Sequence, residues 1–108
     1  MNIQDLTAKS EEAAALLLLL ANPYRLQILC VLLDGERSVS SLATVVDLSQ
    51  SALSQHLAKL RQASVVATRR EAQSIFYSIA DERAERVLEV LAEVFCQPVT
   101  STSKRSRK

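Results

Sequence analysis

Two short amphipathic segments joined by a tight turn constrain the fold of this chain more than any other feature. Residues 38–47 place apolar side chains at helical spacing, so we predict a short helix there. Its inward-facing side chains are predicted to be Leu42, Val45 and Val46. Asp47-Leu48-Ser49 follows as a turn, and Ser49 is a suitable N-cap for a second helix. Two short helices across such a turn predict a helix-turn-helix motif.

The second helix of this motif has one apolar face and one polar face. Its apolar stripe is formed by Leu53, Leu57 and Leu60. The opposite face carries Ser51, Gln55 and Gln62, with Ala58 and Lys59 beside them. A glutamine amide can bond adenine in two places and a hydroxyl can bond any base edge, so we predict that Ser51 and Gln55 read DNA. The alternative is that both are solvated surface residues.

Further helices are predicted on both sides of the motif. The first spans residues 5–20, and the last runs from about Asp81 to Cys96. Between the first helix and the motif, Asn22-Pro23 is a helix-start signal and Gly35 a suitable left-handed stop. The inward side chains of that intervening helix are predicted to be Leu26, Leu29, Cys30 and Leu33. Those of the last helix are predicted to be Ala84, Val87, Leu88, Leu91, Val94 and Phe95.

A β-hairpin is predicted after the motif. Residues 65–69 and 74–79 are rich in β-branched and aromatic side chains, which favours two strands, and the polar stretch 70–73 predicts the tip between them. A basic tip lies naturally along phosphates, so Arg69, Arg70 and Gln73 are predicted to contact DNA, with a plain solvated tip as the alternative. The predicted fold is therefore mainly α with a small β-hairpin, a winged helix-turn-helix.

The small size of the chain favours self-association. Its 108 residues, 48% of them hydrophobic, fit one packed domain, which we place at residues 1–97 before a disordered basic tail at 98–108. Such a small domain gains from burying surface against a second copy, and the first helix is apolar around most of its circumference, so we expect a homodimer. The net charge of +1 gives no support for nucleic-acid binding, so DNA contacts must come from local clustering.

The longest apolar run, residues 13–21, is about half the length that a membrane span needs. It also follows an acidic leader that does not read as a signal peptide. We therefore expect a cytoplasmic protein that makes no membrane contact.

Residues 48–61, LSQSALSQHLAKLR, resemble the helix-turn-helix of the ArsR/SmtB family of winged-helix repressors. Asn22-Pro23 before RLQIL, and the hairpin segment IFYSI, are further matches, and the likeness covers roughly residues 13–96. The resemblance implies a homodimer on double-stranded DNA, at an imperfect palindromic operator. The predicted DNA contacts are Ser49, Gln50, Ser51, Ser54, Gln55, His56, Lys59 and Arg61 of the helix, with Arg69, Arg70 and Gln73 of the wing. His56 lies nearer the apolar stripe, which favours phosphate positioning or packing for it.

Metal sensing, which is common in this family, is poorly supported here. Residues 42–47 contain no cysteine, residues 81–96 contain no histidine, and the only histidine of the chain lies on the predicted reading helix. A divalent metal needs several ligands converging on one point. We expect no metal and no cofactor.

Cys30 and Cys96 match the cysteine positions of a persulfide- and redox-sensing branch of the family. The resemblance implies that DNA is released when the two thiols are linked by a disulfide or by a bridge of extra sulfur atoms, with a reactive sulfur species or an oxidant as inducer. From spacing alone, inert core cysteines are the commoner interpretation. The chain departs from the family at Ala63-Ser64, where a glycine is common.

Two alternative functions fit parts of this sequence. Two cysteines and a histidine could supply a nucleophile and a base, but there is no Cys-x-x-Cys pair and a single glycine leaves no phosphate-binding loop, so we expect no enzyme. The other alternative is an anti-repressor that binds DNA mainly to displace another protein. The sequence does not separate that role from repression.

Overall fold

The computed structural model describes residues 2–96, which form a helical domain with a three-stranded antiparallel sheet. The helices are α1 (Ile3–Ala8), α2 (Ser10–Leu20), α3 (Pro23–Leu32), α4 (Val39–Val45), α5 (Gln50–Gln62) and α6 (Glu82–Phe95). The strands are β1 (Arg37–Ser38), β2 (Val66–Glu71) and β3 (Ser74–Ile79). The predicted tail at 98–108 lies outside the described residues.

The N-terminal segment forms two helices, so the prediction of one helix over residues 5–20 was wrong. The helical backbone stops at Lys9, where φ is −106° and ψ is 16°. No residue of α1 is buried, so no packing into the core holds α1 in line with α2. Glu11 and Glu12 lie in the first turn of α2, where negative charge favours a helix start.

Helix α3 begins and ends as the sequence predicts, and of its predicted inward side chains Leu29 is buried, Leu26 and Leu33 pack partly buried against the core, and Cys30 is exposed. Asn22 Oδ1 accepts hydrogen bonds from the amides of Tyr24 and Arg25, and Gly35 has a φ of +138°. The buried side chains are Ile28, Leu29 and Leu32. The prediction that Cys30 lies on or beside the buried face was wrong, because Ile28 takes the inward position and Cys30 is exposed.

The helix-turn-helix is present at α4 and α5. Leu53, Leu57 and Leu60 are all buried, as predicted. The predicted inward position of Val45 was wrong, since its side chain is 51% exposed. The chain leaves the helix at Val46, whose extended backbone turns that valine into the core instead.

The sheet is larger than the predicted hairpin, because β1 adds a third strand beside β3 in the order β1-β3-β2. The predicted tip at 70–73 was too long. Arg70 and Glu71 belong to β2, and only Ala72 and Gln73 connect the strands. Ala72 has a φ of +56°, which many two-residue hairpin turns require at their first position.

Ser64 follows α5 at the place where the resembling family commonly has glycine. Its φ is +61°, in the left-handed region that glycine adopts at little cost. The lack of a glycine at residues 63–64 therefore does not change the path of the backbone, and a serine adopts the left-handed conformation instead.

Helix α6 packs on α3 and the sheet through the middle of its apolar stripe. Asp81 caps it and Cys96 follows its last residue, as predicted. Ala84 and Leu88 are buried, but the predicted inward positions of Val94 and Phe95 were wrong, since these side chains are 59% and 77% exposed. The end of α6 runs beyond the core of this single chain.

Among the described residues, no single helix is long and apolar enough to cross a membrane. Helices α2 and α3 meet the length and hydropathy criteria only as a pair, and they are bent by 93°.

Candidate nucleic-acid interface

The start of α5 is fixed by its own N-cap. Ser49 Oγ accepts a hydrogen bond from the amide of Ala52 at 3.1 Å. Leu53, Leu57 and Leu60 are buried on one side of the helix, which leaves its polar side facing solvent. The exposed predicted contacts on this helix are Gln50, Ser51, Ser54, Gln55, Lys59 and Arg61.

A groove of about 780 Å³ separates α5 from the wing, which is β2, β3 and their connection. Four predicted contacts line it: Gln50, Ser54, Arg61 and Gln73. Leu57, Ile75 and Tyr77 contribute apolar side chains to its wall. Ser51 and Gln55 lie outside this lining, on the exposed part of α5.

Gln62, which the sequence places on the polar face of α5, also lines the groove, whereas its other polar groups, Ser38, Ser40 and Ser74, are not predicted from the sequence. Ser38 was recognisable as a helix N-cap, and its Oγ accepts from the amide of Ser41 at 3.1 Å. Its place beside the wing depends on the pairing of β1 with β3, which brings Ser38 opposite Phe76. That pairing has no local sequence signal, because β1 has only two residues.

His56 packs between α5 and α3. Its ring centroid lies 5.9 Å from that of Tyr24, and its buried Nδ1 has no hydrogen-bond partner within residues 2–96. Burial lowers the pKa of His56, and the positive charges of Arg25 and Lys59 lower it further. The imidazole is therefore neutral at physiological pH, which favours the packing role over a charged contact with phosphate.

The two wing arginines differ in their surroundings. Arg69 donates to the carboxylates of Glu36 and Glu71, and these hydrogen bonds raise its pKa further above the physiological range. Arg70 forms no ion pair within residues 2–96. The structure thus leaves Arg70 as the free cation of β2.

The two cysteines lie on helices that pack together, with Cys30 near the end of α3 and Cys96 directly after α6. Both are free thiols with exposed surface. Partial burial raises the pKa of Cys30, and the charge of Cys96 raises it further. Because α3 packs against α6, the fold brings the helix that carries Cys30 and the helix that precedes Cys96 together, although the two cysteines are far apart in the sequence.

A metal centre has no counterpart in this arrangement. Within residues 2–96, no three side chains of His, Cys, Asp or Glu are grouped so that they could hold a metal ion.

Comparison with known proteins points to one family. The sequence profile described as bacterial regulatory protein, arsR family, matches residues 22–68. The chain is 48% identical to the transcriptional activator HlyU of Vibrio cholerae over 97 residues, which cover 90% of this chain and 90% of that protein.

Solved structures give the same result. The transcriptional repressor BigR from Xylella fastidiosa superimposes with a TM-score of 0.85 at 36% identity, over 91% of this chain and 100% of that one. A homodimeric winged helix-turn-helix DNA-binding domain from Mycobacterium bovis superimposes with a TM-score of 0.71 at 32% identity, over 87% of this chain and 86% of that one.

These relatives are regulators rather than enzymes, which confirms the expectation from the sequence. They also confirm the winged helix-turn-helix fold. The chain belongs to the ArsR family of bacterial regulatory proteins and is a DNA-binding transcriptional regulator.

Proposed function

We propose that the chain is a homodimeric repressor that binds an imperfect palindromic operator in the cytoplasm and releases it when Cys30 and Cys96 become linked. The observation that carries the DNA-binding part is the exposed polar side of α5 beside the groove of the wing. Helix α5 enters the major groove, where Ser51 and Gln55 contact base edges. Gln50, Ser54, Lys59, Arg61, Arg70 and Gln73 contact the backbone of the DNA and hold the helix in register.

Exposed apolar side chains on the outer helices support the dimer. They are Ile3 and Leu6 of α1, Leu17 and Leu18 of α2, and Val90, Val94 and Phe95 of α6. In a single copy these large side chains face water. A second copy related by a two-fold axis would cover them and remove that exposure. The homodimeric relative from Mycobacterium bovis supports the same assembly. The two α5 helices then lie about 34 Å apart, one turn of the DNA helix.

Base reading by Gln55 is tested by truncating its amide. The probe is a duplex selected by the protein from a random-sequence library, with unselected DNA of the same length as the reference. Gln55→Ala should weaken binding to the selected duplex by about 1 to 3 kcal/mol and leave binding to unselected DNA nearly unchanged. Fluorescence anisotropy at fixed salt measures both.

Gln62→Ala is the matched control for that experiment, since Gln62 is also an exposed glutamine of α5 but lies beside the wing. It should not change the base preference. Equal losses on selected and unselected DNA in Gln55→Ala would refute the base contact.

The position of the two thiols supports the switch. Helix α3 packs against α5 and also against α6. Helix α3 therefore supports the reading helix α5, and α6 belongs to the proposed dimer surface. A covalent link between the ends of α3 and α6 connects these two parts of the protein. Such a link changes the spacing of the two reading helices, and DNA binding depends on that spacing.

The linking chemistry balances without a metal or a cofactor. One thiolate attacks the outer sulfur of an organic persulfide, giving a protein persulfide and releasing a thiol. The second thiolate attacks the inner sulfur of that protein persulfide, so a disulfide forms and hydrogen sulfide leaves. With peroxide, the first thiolate becomes a sulfenic acid and the second displaces water, so two thiols lose two electrons to the oxidant. If both thiols become persulfides, their condensation gives a trisulfide and hydrogen sulfide.

Mass spectrometry of the treated protein identifies the inducer class. The reduced chain is exposed in parallel to an organic persulfide, to peroxide and to an oxidised disulfide, and the peptide pair containing Cys30 and Cys96 is weighed. A disulfide lowers the mass by two hydrogens, and each additional bridging sulfur raises it by one sulfur atom. The treatment that forms a bridge and also releases DNA names the inducer.

The contribution of Cys96 to the raised pKa of Cys30 predicts a pH effect. The charge of Cys96 contributes to the raised pKa of Cys30, so Cys96→Ser should move the midpoint of Cys30 alkylation by iodoacetamide to lower pH. Partial burial is the larger cause of the raised pKa and remains in the variant, so the midpoint should stay above that of a fully exposed cysteine. If the midpoint does not move when Cys96 is replaced, the charge of Cys96 does not influence the pKa of Cys30, and the prediction is wrong. Peptide mass mapping after timed alkylation measures it.

The likeness to an activator supports a second candidate, the anti-repressor that displaces another protein from DNA. Transcription with purified polymerase separates the two. A repressor lowers transcript from its own operator in that minimal mixture, whereas an anti-repressor changes the transcript only when the displaced protein is added.

A further inference from the structure

Arg69 lies on the face of the sheet that points away from the groove. In the antiparallel register Arg70 lies opposite Ile75, and Arg69 lies opposite Phe76. Side chains alternate between faces along a strand, so Arg70 shares a face with Ile75 and Tyr77, which line the groove. Arg69 shares the other face with Phe76.

The side chain of Arg69 reaches across the whole sheet. Strand β3 lies between β2 and β1, and the guanidinium carbon of Arg69 stands 4.7 Å from the ring centroid of Phe76 in β3. Beyond that ring, Nε and Nη2 donate to the two carboxylate oxygens of Glu36, just before β1, at 2.9 and 2.7 Å. The third nitrogen, Nη1, donates to Glu71 at 3.1 Å. Bidentate geometry and the ring beneath give this contact a fixed direction.

The charge around Arg69 does not favour phosphate. One guanidinium stands between the carboxylates of Glu36 and Glu71, and the hydrogen bond from Arg69 is the main cause of the lowered pKa of Glu36. Glu36 is therefore ionised at neutral pH. A DNA phosphate would have to replace a bidentate carboxylate and then lie beside Glu71, which has the same sign of charge.

We propose that Arg69 is a positioning residue that clamps the wing to the segment before β1 through Glu36, and that Arg70 makes the phosphate contact. The inference rests on the proposed DNA contact of the wing. Because the clamp spans all three strands, it holds β2, and with it the hairpin tip, at one angle to α5. Losing either partner loosens the tip without removing a contact to DNA.

The test compares Glu36→Ala, Arg69→Ala, their double mutant and Arg70→Ala on the selected duplex over a series of salt concentrations. Each single clamp variant should bind about fivefold more weakly, with the double mutant no weaker than either one, since both remove the same interaction. The salt slope should stay unchanged in Arg69→Ala and fall by about 0.9 in Arg70→Ala. Arg69→Lys keeps the charge but loses the bidentate fork, so it should behave as Arg69→Ala does.

Glu85→Ala is the matched control for removing a negative charge, because Glu85 is exposed on α6 and is not one of the two carboxylates that pair with Arg69. The proposal is overturned if Glu36→Ala binds DNA more tightly than Glu85→Ala does, or if Arg69→Ala lowers the salt slope, since either result places Arg69 on phosphate. Unchanged affinity in both clamp variants overturns it as well. Thermal melting identifies any variant that fails to fold.

Failure of the proposed function is distinguishable from failure of the clamp, because the unmutated protein would then bind neither selected nor unselected DNA. The clamp is still measured in that case by NMR relaxation of the free protein. Backbone amides of residues 70–74 should lose order in Glu36→Ala and keep it in Glu85→Ala. Equal order in both variants would overturn the clamp independently of DNA.

Discussion

Replacing Leu17 by glutamate should abolish the dimer and operator binding together. Leu17 is 56% exposed in the single chain and lies on α2, one of the helices proposed to form the interface. In a two-fold dimer each substitution occurs twice, so two unpaired charges are buried at once. The expected cost is about 4 kcal/mol or more, roughly a thousandfold in the Kd of the dimer.

Light scattering and DNA binding are both needed to check this result. Leu17→Lys separates loss of the dimer from electrostatic repulsion, because the lysine attracts DNA while it is equally unpaired at the interface. Both charges should give monomers that hold DNA only weakly. Val45→Glu is the control, because Val45 is also an exposed apolar side chain but lies outside α1, α2 and α6. This variant should remain a dimer. A Leu17→Glu monomer that still binds the selected duplex tightly would contradict the proposed assembly.

The fold could be predicted where local signals agree with burial. Leu53, Leu57 and Leu60 recur at helical spacing and Ser49 is a strong N-cap, so both the position and the exposed side of α5 followed from the sequence. Glycine at residue 35 likewise indicated the end of α3 correctly.

The errors occurred where apolar residues outnumber buried positions. Helix α3 offers more apolar side chains than one face can bury, so the sequence could not decide between Ile28 and Cys30. Val94 and Phe95 continue the stripe of α6 past the end of the core, where a single chain has nothing to pack against them. Periodicity reports which residues avoid water, and it does not say whether the same chain or another one covers them.

The different roles of Arg69 and Arg70 could not be predicted from the sequence either. The two arginines are adjacent, and their division depends on the strand register and on Glu36, which lies 33 positions before Arg69. A long-range ion pair of this kind has no local pattern. The same is true of the cysteines, which are carried onto neighbouring helices by the packing of α3 against α6.

Replacing either cysteine by serine should abolish the release of DNA that persulfide treatment causes in the parent. Cys30→Ser and Cys96→Ser should each bind the selected duplex as the reduced parent does, and each should keep it after treatment with an organic persulfide. The treated parent should lose at least about tenfold in affinity, which corresponds to 1.4 kcal/mol. Both single variants are needed, because one remaining thiol can still be modified without forming a link.

The energy available to the switch is sufficient for this loss. A link between Cys30 and Cys96 closes a loop of about 66 residues, worth roughly 4 kcal/mol in the chain-entropy model. Only about a third of that has to appear as a difference between binding and non-binding conformations to give the tenfold effect. Reduction with dithiothreitol should restore binding in the treated parent. The linked state is not the signal if either serine variant releases DNA as readily as the parent, or if the treated parent contains two separately modified thiols and no bridge. Both cysteines are then ordinary surface residues, one on α3 and one directly after α6.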